Sequence, residues 1–146
     1  MAEKVPQTLA NHARLQPPFH FFVLPVTATA LILALINVVR NYESLAAWAL
    51  ALLALAFIVA APMIRINALK AQDRVIRLEE RMRLASLLNE PLKSRIGELT
   101  EGQLIALRFC PDAELPALVD KSLQSKLSGR DIKKLIVHWR PDTFRV

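Results

Sequence analysis

The chain has 146 residues, 53% of them hydrophobic, with 19 Lys and Arg against 13 Asp and Glu for a formal charge of +6. Its one cysteine, Cys110, excludes an internal disulfide and fits a reducing compartment for that part of the chain. The basic excess does not point to nucleic acid: half of it lies beside an apolar run, no glycine-rich or aromatic-interleaved basic motif accompanies it, and attraction to anionic lipid is the simpler cause.

Residues 1–18 form a polar amino-terminal arm. Two apolar runs follow, Phe19 to Val39 and Leu45 to Ile64, neither holding a charged residue and with only Arg40 to Ser44 between them. At ~1.5 Å per residue each makes a helix of roughly 30 Å, about the hydrocarbon thickness of a bilayer. A core helix of a soluble protein would keep a polar stripe, and a signal-peptide core would be shorter and would not run straight into a second span. The expected element is a transmembrane helical hairpin over residues 19–64. His20, Tyr42 and Trp48 lie near the ends of the runs, where amphipathic rings favour the headgroup layer.

Charge sets the expected orientation. Arg65, Lys70, Arg74, Arg77, Arg81 and Arg83 against Asp73, Glu79 and Glu80 leave a net +3 beside the second run, whereas Arg40 and Glu43 cancel in the turn. The positive-inside rule then places both termini in the cytoplasm, with His20, Arg65, Lys70 and Arg74 as candidates for lipid headgroups of the cytoplasmic leaflet. Inside the runs, Pro25 falls in the opening turns, and Thr27 and Thr29 are suited to bond back to the preceding turn. Ala30/Ala34, Ala47/Ala51 and Ala56/Ala60 are small pairs that allow close approach of the two helices. Asn37 lies one turn from Arg40 and is read as reaching the outer interface, and with no charged residue in either span a monomeric transporter or channel is not expected.

A kink is expected at Pro62, followed by a charged amphipathic helix over residues 65–88 supported by Asp73/Arg77 and Glu79/Arg83 at i,i+4 spacing. Its apolar residues make two stripes. Val75, Leu78, Met82 and Ala85 repeat at three and four residues, the seam pattern of a coiled coil, while Ile66, Leu69, Ile76 and Leu87 lie on roughly the opposite side. Charges flank both stripes, so the helix is read as packed on two sides, by its own carboxy-terminal domain and by a partner helix, and not as lying flat on lipid.

From Asn89 the pattern changes to short helices with clear start signals. Asn89-Glu90-Pro91 marks one start, Thr100 with Gln103 a capping box for a helix to about Phe109, Asp112 a cap for a helix through Lys126, and Ser128 with Asp131 a cap before Ile132 to Trp139. The expected core is Leu92, Ile96, Leu99, Leu104, Leu107, Phe109, Leu115, Leu118, Leu123, Leu127, Ile132, Leu135, Ile136 and Trp139. A segment of this size has a marginal core, so docking on the residue 65–88 helix is expected.

The blocks NHARLQPPFHFFVLPV, AQDRVIRLEERMRL, QLIALRFCPDAELPALV and IKKLIVHWRPDTFRV, in that order, resemble a family of small bacterial two-span membrane proteins known only as a domain of unknown function. The resemblance runs from Asn11 to Val146 and implies no catalytic residue or cofactor. Some members carry an automatic label as transporter permeases, to which these two uncharged spans lend no support.

A search for chemistry finds little. His12, His20 and His138 are scattered, with no metal-ligand partner at useful spacing, and there is no HExxH, P-loop, GxSxG or GxGxxG. Cys110 has no local base and is read as a small buried residue, and Glu79-Glu80 as a solvated or salt-bridged face. Two polar clusters, Asn11 to Arg14 and Arg140 to Arg145, are read as an interfacial anchor and an ordered tail, with a docking edge as their functional reading. The expectation is an all-α membrane protein: a two-helix transmembrane hairpin, a long amphipathic helix and a small cytosolic bundle. The expected function is a non-enzymatic accessory or docking subunit of a bacterial inner-membrane complex, with no cofactor and with other membrane-protein subunits as partners. The alternative is a self-associating scaffold that binds anionic lipid. The partner-binding candidates are Val75, Leu78, Met82, Ala85, Arg140, Phe144 and Arg145.

Overall fold

In a computed structural model, residues 8–9 and 16–142 are described, and every regular element among them is a helix. The cluster Asn11 to Arg14 and the candidates Phe144 and Arg145 lie outside the described residues. The chain divides into two compact units, one within Arg14–Leu69 and one within Lys70–Val146.

In the first unit a π-helical turn, Phe19–Val23, leads into α1, Leu24–Arg40. Pro25 at the start of α1 brings no N–H and crowds the turn before it, and the backbone answers by widening: Leu24 N–H donates to the Phe19 carbonyl five residues back. The Thr27 hydroxyl donates to the Val23 carbonyl at 2.8 Å, the back-bond its position suggested. After a four-residue turn begins α2, Leu45–Leu87, a single helix of 43 residues. It continues without interruption through Pro62.

Contact between α1 and α2 uses small residues. Val38, Ala47 and Ala51 are buried together, with Ala34 packed against them. Of the small pairs, Ala47/Ala51 is used as expected, but Ala30 and Ala56 face outward. At the other end of α1 the Arg65 guanidinium lies 5.7 Å from the centre of the Phe19 ring, and His20 meets the same ring edge-on at 5.2 Å. The turn end is closed by side chains: Asn41 Nδ2 donates to Asn37 Oδ1 at 2.9 Å, and Trp48 Nε1 donates to the Tyr42 carbonyl at 2.9 Å. Both segments are long and apolar enough to cross a membrane, with a peak mean hydropathy of 2.4 each.

In the second unit the end of α2 is followed by a 3-10 helix, Lys93–Glu98, and by α3 (Glu101–Leu107), α4 (Leu115–Gln124) and α5 (Gly129–Leu135). The Thr100–Gln103 capping box forms with both of its bonds, and Ser128 Oγ accepts from Asp131 N–H. The remaining boundaries differ from the sequence expectation. Asp112 does not cap α4, which opens after Glu114, because its carboxylate is taken by Arg83. Lys126 is not helical but sits in the left-handed region at φ 46°, so that Leu127 N–H reaches back to the Ser122 carbonyl and seals the helix end. The last helix stops at Leu135 instead of Trp139, since the N–H groups of Val137 and His138 are accepted by the Glu114 carboxylate and not by a helical turn.

The core is built on Phe109, Leu104, Leu107, Leu115, Val119 and Ile132, all fully buried, with Trp139 tilted over the Phe109 ring at 5.0 Å. Leu84 of α2 and Leu88, the residue just after it, enter the same core. Of the expected core residues, Leu135 is exposed. Where α5 crosses α3, Gly129 is pressed so close that a Cβ there would lie 2.6 Å from the Gly102 carbonyl oxygen.

Candidate functional site

The charged part of α2 has a closed side and an open side. Ile76, Glu80, Leu84 and Leu88 recur at four-residue intervals and are all buried, so this stripe docks α2 on the core of the second unit. Polar bonds clamp its edges. Arg83 is central: Nη1 pairs with Glu80 at 3.1 Å, Nε donates to Asp112 at 2.8 Å, and Nη2 donates to the Cys110 carbonyl at 2.6 Å. Arg77 forms an ion pair with Glu101 and donates through Nε to the Asp73 carbonyl. The i,i+4 pairs Asp73/Arg77 and Glu79/Arg83 are therefore replaced, because Arg77 reaches across to Glu101 of α3 and Arg83 to Asp112 and the Cys110 carbonyl between α3 and α4.

Glu79 and Glu80 are not one face. Glu79 is exposed, whereas Glu80 is turned into the unit, where burial pushes its carboxyl above the usual range against the opposing pull of Arg83. The Ile76–Leu84–Leu88 spacing contains the signal, since position 80 falls on that stripe.

The open side is the seam read from the sequence. Val75, Leu78 and Met82 are 54%, 61% and 66% exposed, and Ala85 is exposed beside them. None of the four takes part in the core. An apolar row of this kind on a helix already anchored on its other side is an unpartnered packing surface.

Arg140 lies elsewhere on the second unit. Its N–H donates to the Phe109 carbonyl at 2.8 Å, which ties the tail to the core. Together with Ile76, Glu79, Glu80, Arg108, Pro141 and Asp142 it borders a cleft of about 110 Å³. Arg108 approaches Asp142 at 3.4 Å and covers the Phe109 ring at 4.5 Å, and Glu80 pairs with Arg83, so both signs of charge line this cleft. Glu114 accepts from His138 Nδ1 at 2.6 Å as well as from the two N–H groups above, and these bonds hold its carboxyl below the usual range.

The lipid-headgroup candidates fall in two places. His20 and Arg65 share the Phe19 ring, and His20 Nδ1 is occupied by Gln16. Lys70 and Arg74 are exposed on α2. Cys110 is fully buried, and desolvation, with Glu114 nearby, pushes its thiol up to about 12, so a thiolate is unavailable there at neutral pH. Among the described residues no group of three His, Cys, Asp or Glu is placed to hold a metal ion.

Comparison with known proteins adds one relationship. No curated protein and no solved structure matches the chain. A model of a family of unknown function (DUF6526) matches residues 1–146, consistent with the family resemblance carried by the four sequence blocks. With the whole length covered, the chain belongs to that family of unknown function.

Proposed function

We propose that the protein is a two-span integral-membrane docking subunit without catalytic chemistry, acting as an accessory part of a larger complex in a bacterial inner membrane. α1 and the first part of α2 form its transmembrane hairpin, both termini face the cytoplasm, and the residue 70–146 unit is a cytosolic helical bundle that presents a surface to partners.

The observation that carries this reading is the open stripe Val75–Leu78–Met82–Ala85 on a helix whose other side is already committed to the chain's own core, a packing face left for another helix of the assembly, whether a foreign subunit or a second copy. The anchor is supported by how little of the apolar helices the chain covers by itself: 6% of the span window in the first and 11% in the second are buried, where a soluble core helix would be mostly enclosed. Lys70, exposed just beyond the second apolar run, suits an anionic leaflet. The buried, protonated Cys110 favours binding over chemistry.

The test is gentle extraction from the native host with a tag on the carboxy terminus, followed by mass spectrometry. Stoichiometric foreign subunits are expected. Recovery of the chain with no foreign subunit, under conditions that preserve other membrane complexes, overturns the reading.

A further inference from the structure

The open stripe obeys a heptad. With Val75 and Met82 at a, and Ala71, Leu78 and Ala85 at d, all five seam positions are exposed. The back of the same heptad, positions b, c and f, is where the unit docks α2: Ile76, Glu80 and Leu84 are buried, and Arg77 and Arg83 are tied to Glu101 and Asp112. A second helix laid on the seam therefore does not compete with the chain's own fold.

Charge selects what lies there. Arg74 occupies a g position and Glu79 the e position of the next heptad; both are exposed, and neither makes an ion pair or side-chain hydrogen bond among the described residues. In a parallel, in-register coiled coil a g residue faces the e residue five positions on in the other strand, so Arg74 of each copy meets Glu79 of the other. An antiparallel arrangement sets g against g and opposes Arg74 with Arg81. The sequence of this one stripe is complementary to itself, in one direction.

We infer that the stripe is covered by α2 of a second copy of this chain, parallel and in register, with Val75, Leu78 and Met82 in the shared seam and an Arg74–Glu79 ion pair on each flank. This rests on the membrane reading above. Two copies inserted with the same topology carry α2 in the same direction, and the apolar run before it fixes both at the same depth. Confinement to one bilayer raises the effective concentration, which offsets the shortness of a seam of about two heptads.

The experiment uses the full chain reconstituted in vesicles of phosphatidylcholine and phosphatidylglycerol, carrying Val75→Cys or Leu78→Cys and treated with a mild oxidant. The wild type, whose Cys110 is buried, is the blank, and Ser125→Cys is an exposed position off the seam. A disulfide-linked dimer is expected at 75 and at 78, with none above background at 125. Met82→Arg should abolish the Leu78→Cys product. Arg74→Glu or Glu79→Arg alone should lower the cross-linked fraction about threefold, as expected for exposed pairs turned to like charges, and the double exchange should restore it. Flotation separates the two levels of the argument. Protein that floats with the vesicles and keeps its helicity but cross-links at neither position overturns the second-copy assignment and leaves the anchor intact. Protein that does not float overturns both. Cross-linking that the double exchange fails to restore overturns the parallel register.

Discussion

The two units hold together by opposite means. Among the described residues of Arg14–Leu69 the buried ones are Val38, Ala47 and Ala51, while Phe21, Leu33, Leu53 and Phe57 are exposed. Within Lys70–Val146 the largest side chains are the ones enclosed, Phe109, Leu84, Leu104, Leu107 and Leu115 among them. In the first, alanine lets two backbones approach and leaves the large residues exposed on the pair's surface. In the second, side-chain volume fills the space between short helices, as it does in any protein interior in water. Hydrophobicity alone therefore does not mark a core in this chain. Shrinking a large residue should hurt the second unit most, whereas in the first the harmful change should be the enlargement of a contact residue.

Phe109→Ala is the strongest test of that asymmetry. It removes the ring on which Trp139 and the Arg108 guanidinium rest, at a cost of about 4 kcal/mol for a buried Phe, a large share of what a unit of this size has to spare. The near-ultraviolet circular dichroism of Trp139 and amide protection over residues 101–135 should be lost, while protection in α1 persists. Loss of protection in both units together would show that they are not held independently. Next in size is Gly129→Ala. The added methyl would meet the Gly102 carbonyl, which is backbone and cannot swing away, so α5 must shift off α3 at about 2 kcal/mol. A melting temperature equal to that of the wild type would mean that the crossing is looser than its 2.6 Å approach implies.

For the helical pair the informative change is an enlargement. Ala51→Leu should force α1 and α2 apart at a cost of about 1–2 kcal/mol. Leu52→Ala, at an outward position next to it, should do nothing of the kind. Spin labels at Ile36→Cys and Leu52→Cys would report the first variant as a longer, broader distance distribution. An unchanged distribution in Ala51→Leu would remove the small-residue account of this contact.

Much of this was legible in the sequence where the signal is local. Uncharged apolar runs mark α1 and the first half of α2, and the Thr100 and Ser128 caps form as their spacing requires, because such a cap is made between residues three positions apart. What failed depends on distant groups. Asp112 has the chemistry of a cap but is claimed by Arg83, 29 residues away. Ile136 to Trp139 continues a helical pattern, yet Glu114 offers its N–H groups a better acceptor from 23 and 24 residues away. The candidate site is a mixed case. The seam Val75–Met82 was visible as a repeat of three and four. That it stays open follows from the docking of its opposite stripe, where the charge of Glu80 interrupts the apolar repeat of Ile76, Leu84 and Leu88.

Glu80 gives the smallest effect and the one with a distinctive pH signature. Burial raises its carboxyl above the unfolded value of 4.5, with Arg83 opposing. The folded state therefore binds this proton more readily than the unfolded state. The cost of burying the charge is absent below the unfolded value, grows as pH climbs towards the raised folded value, and is complete above it. Glu80→Gln stands in for the protonated acid, and Arg83 keeps Asp112 and the Cys110 carbonyl as acceptors. The variant should thus match the wild type in thermal stability at acid pH and exceed it slightly at neutral pH, by much less than either core substitution costs. A variant less stable than the wild type at neutral pH would mean that the Glu80–Arg83 pair more than repays its burial, and that Glu80 helps to hold α2 on the core from which the open stripe faces away.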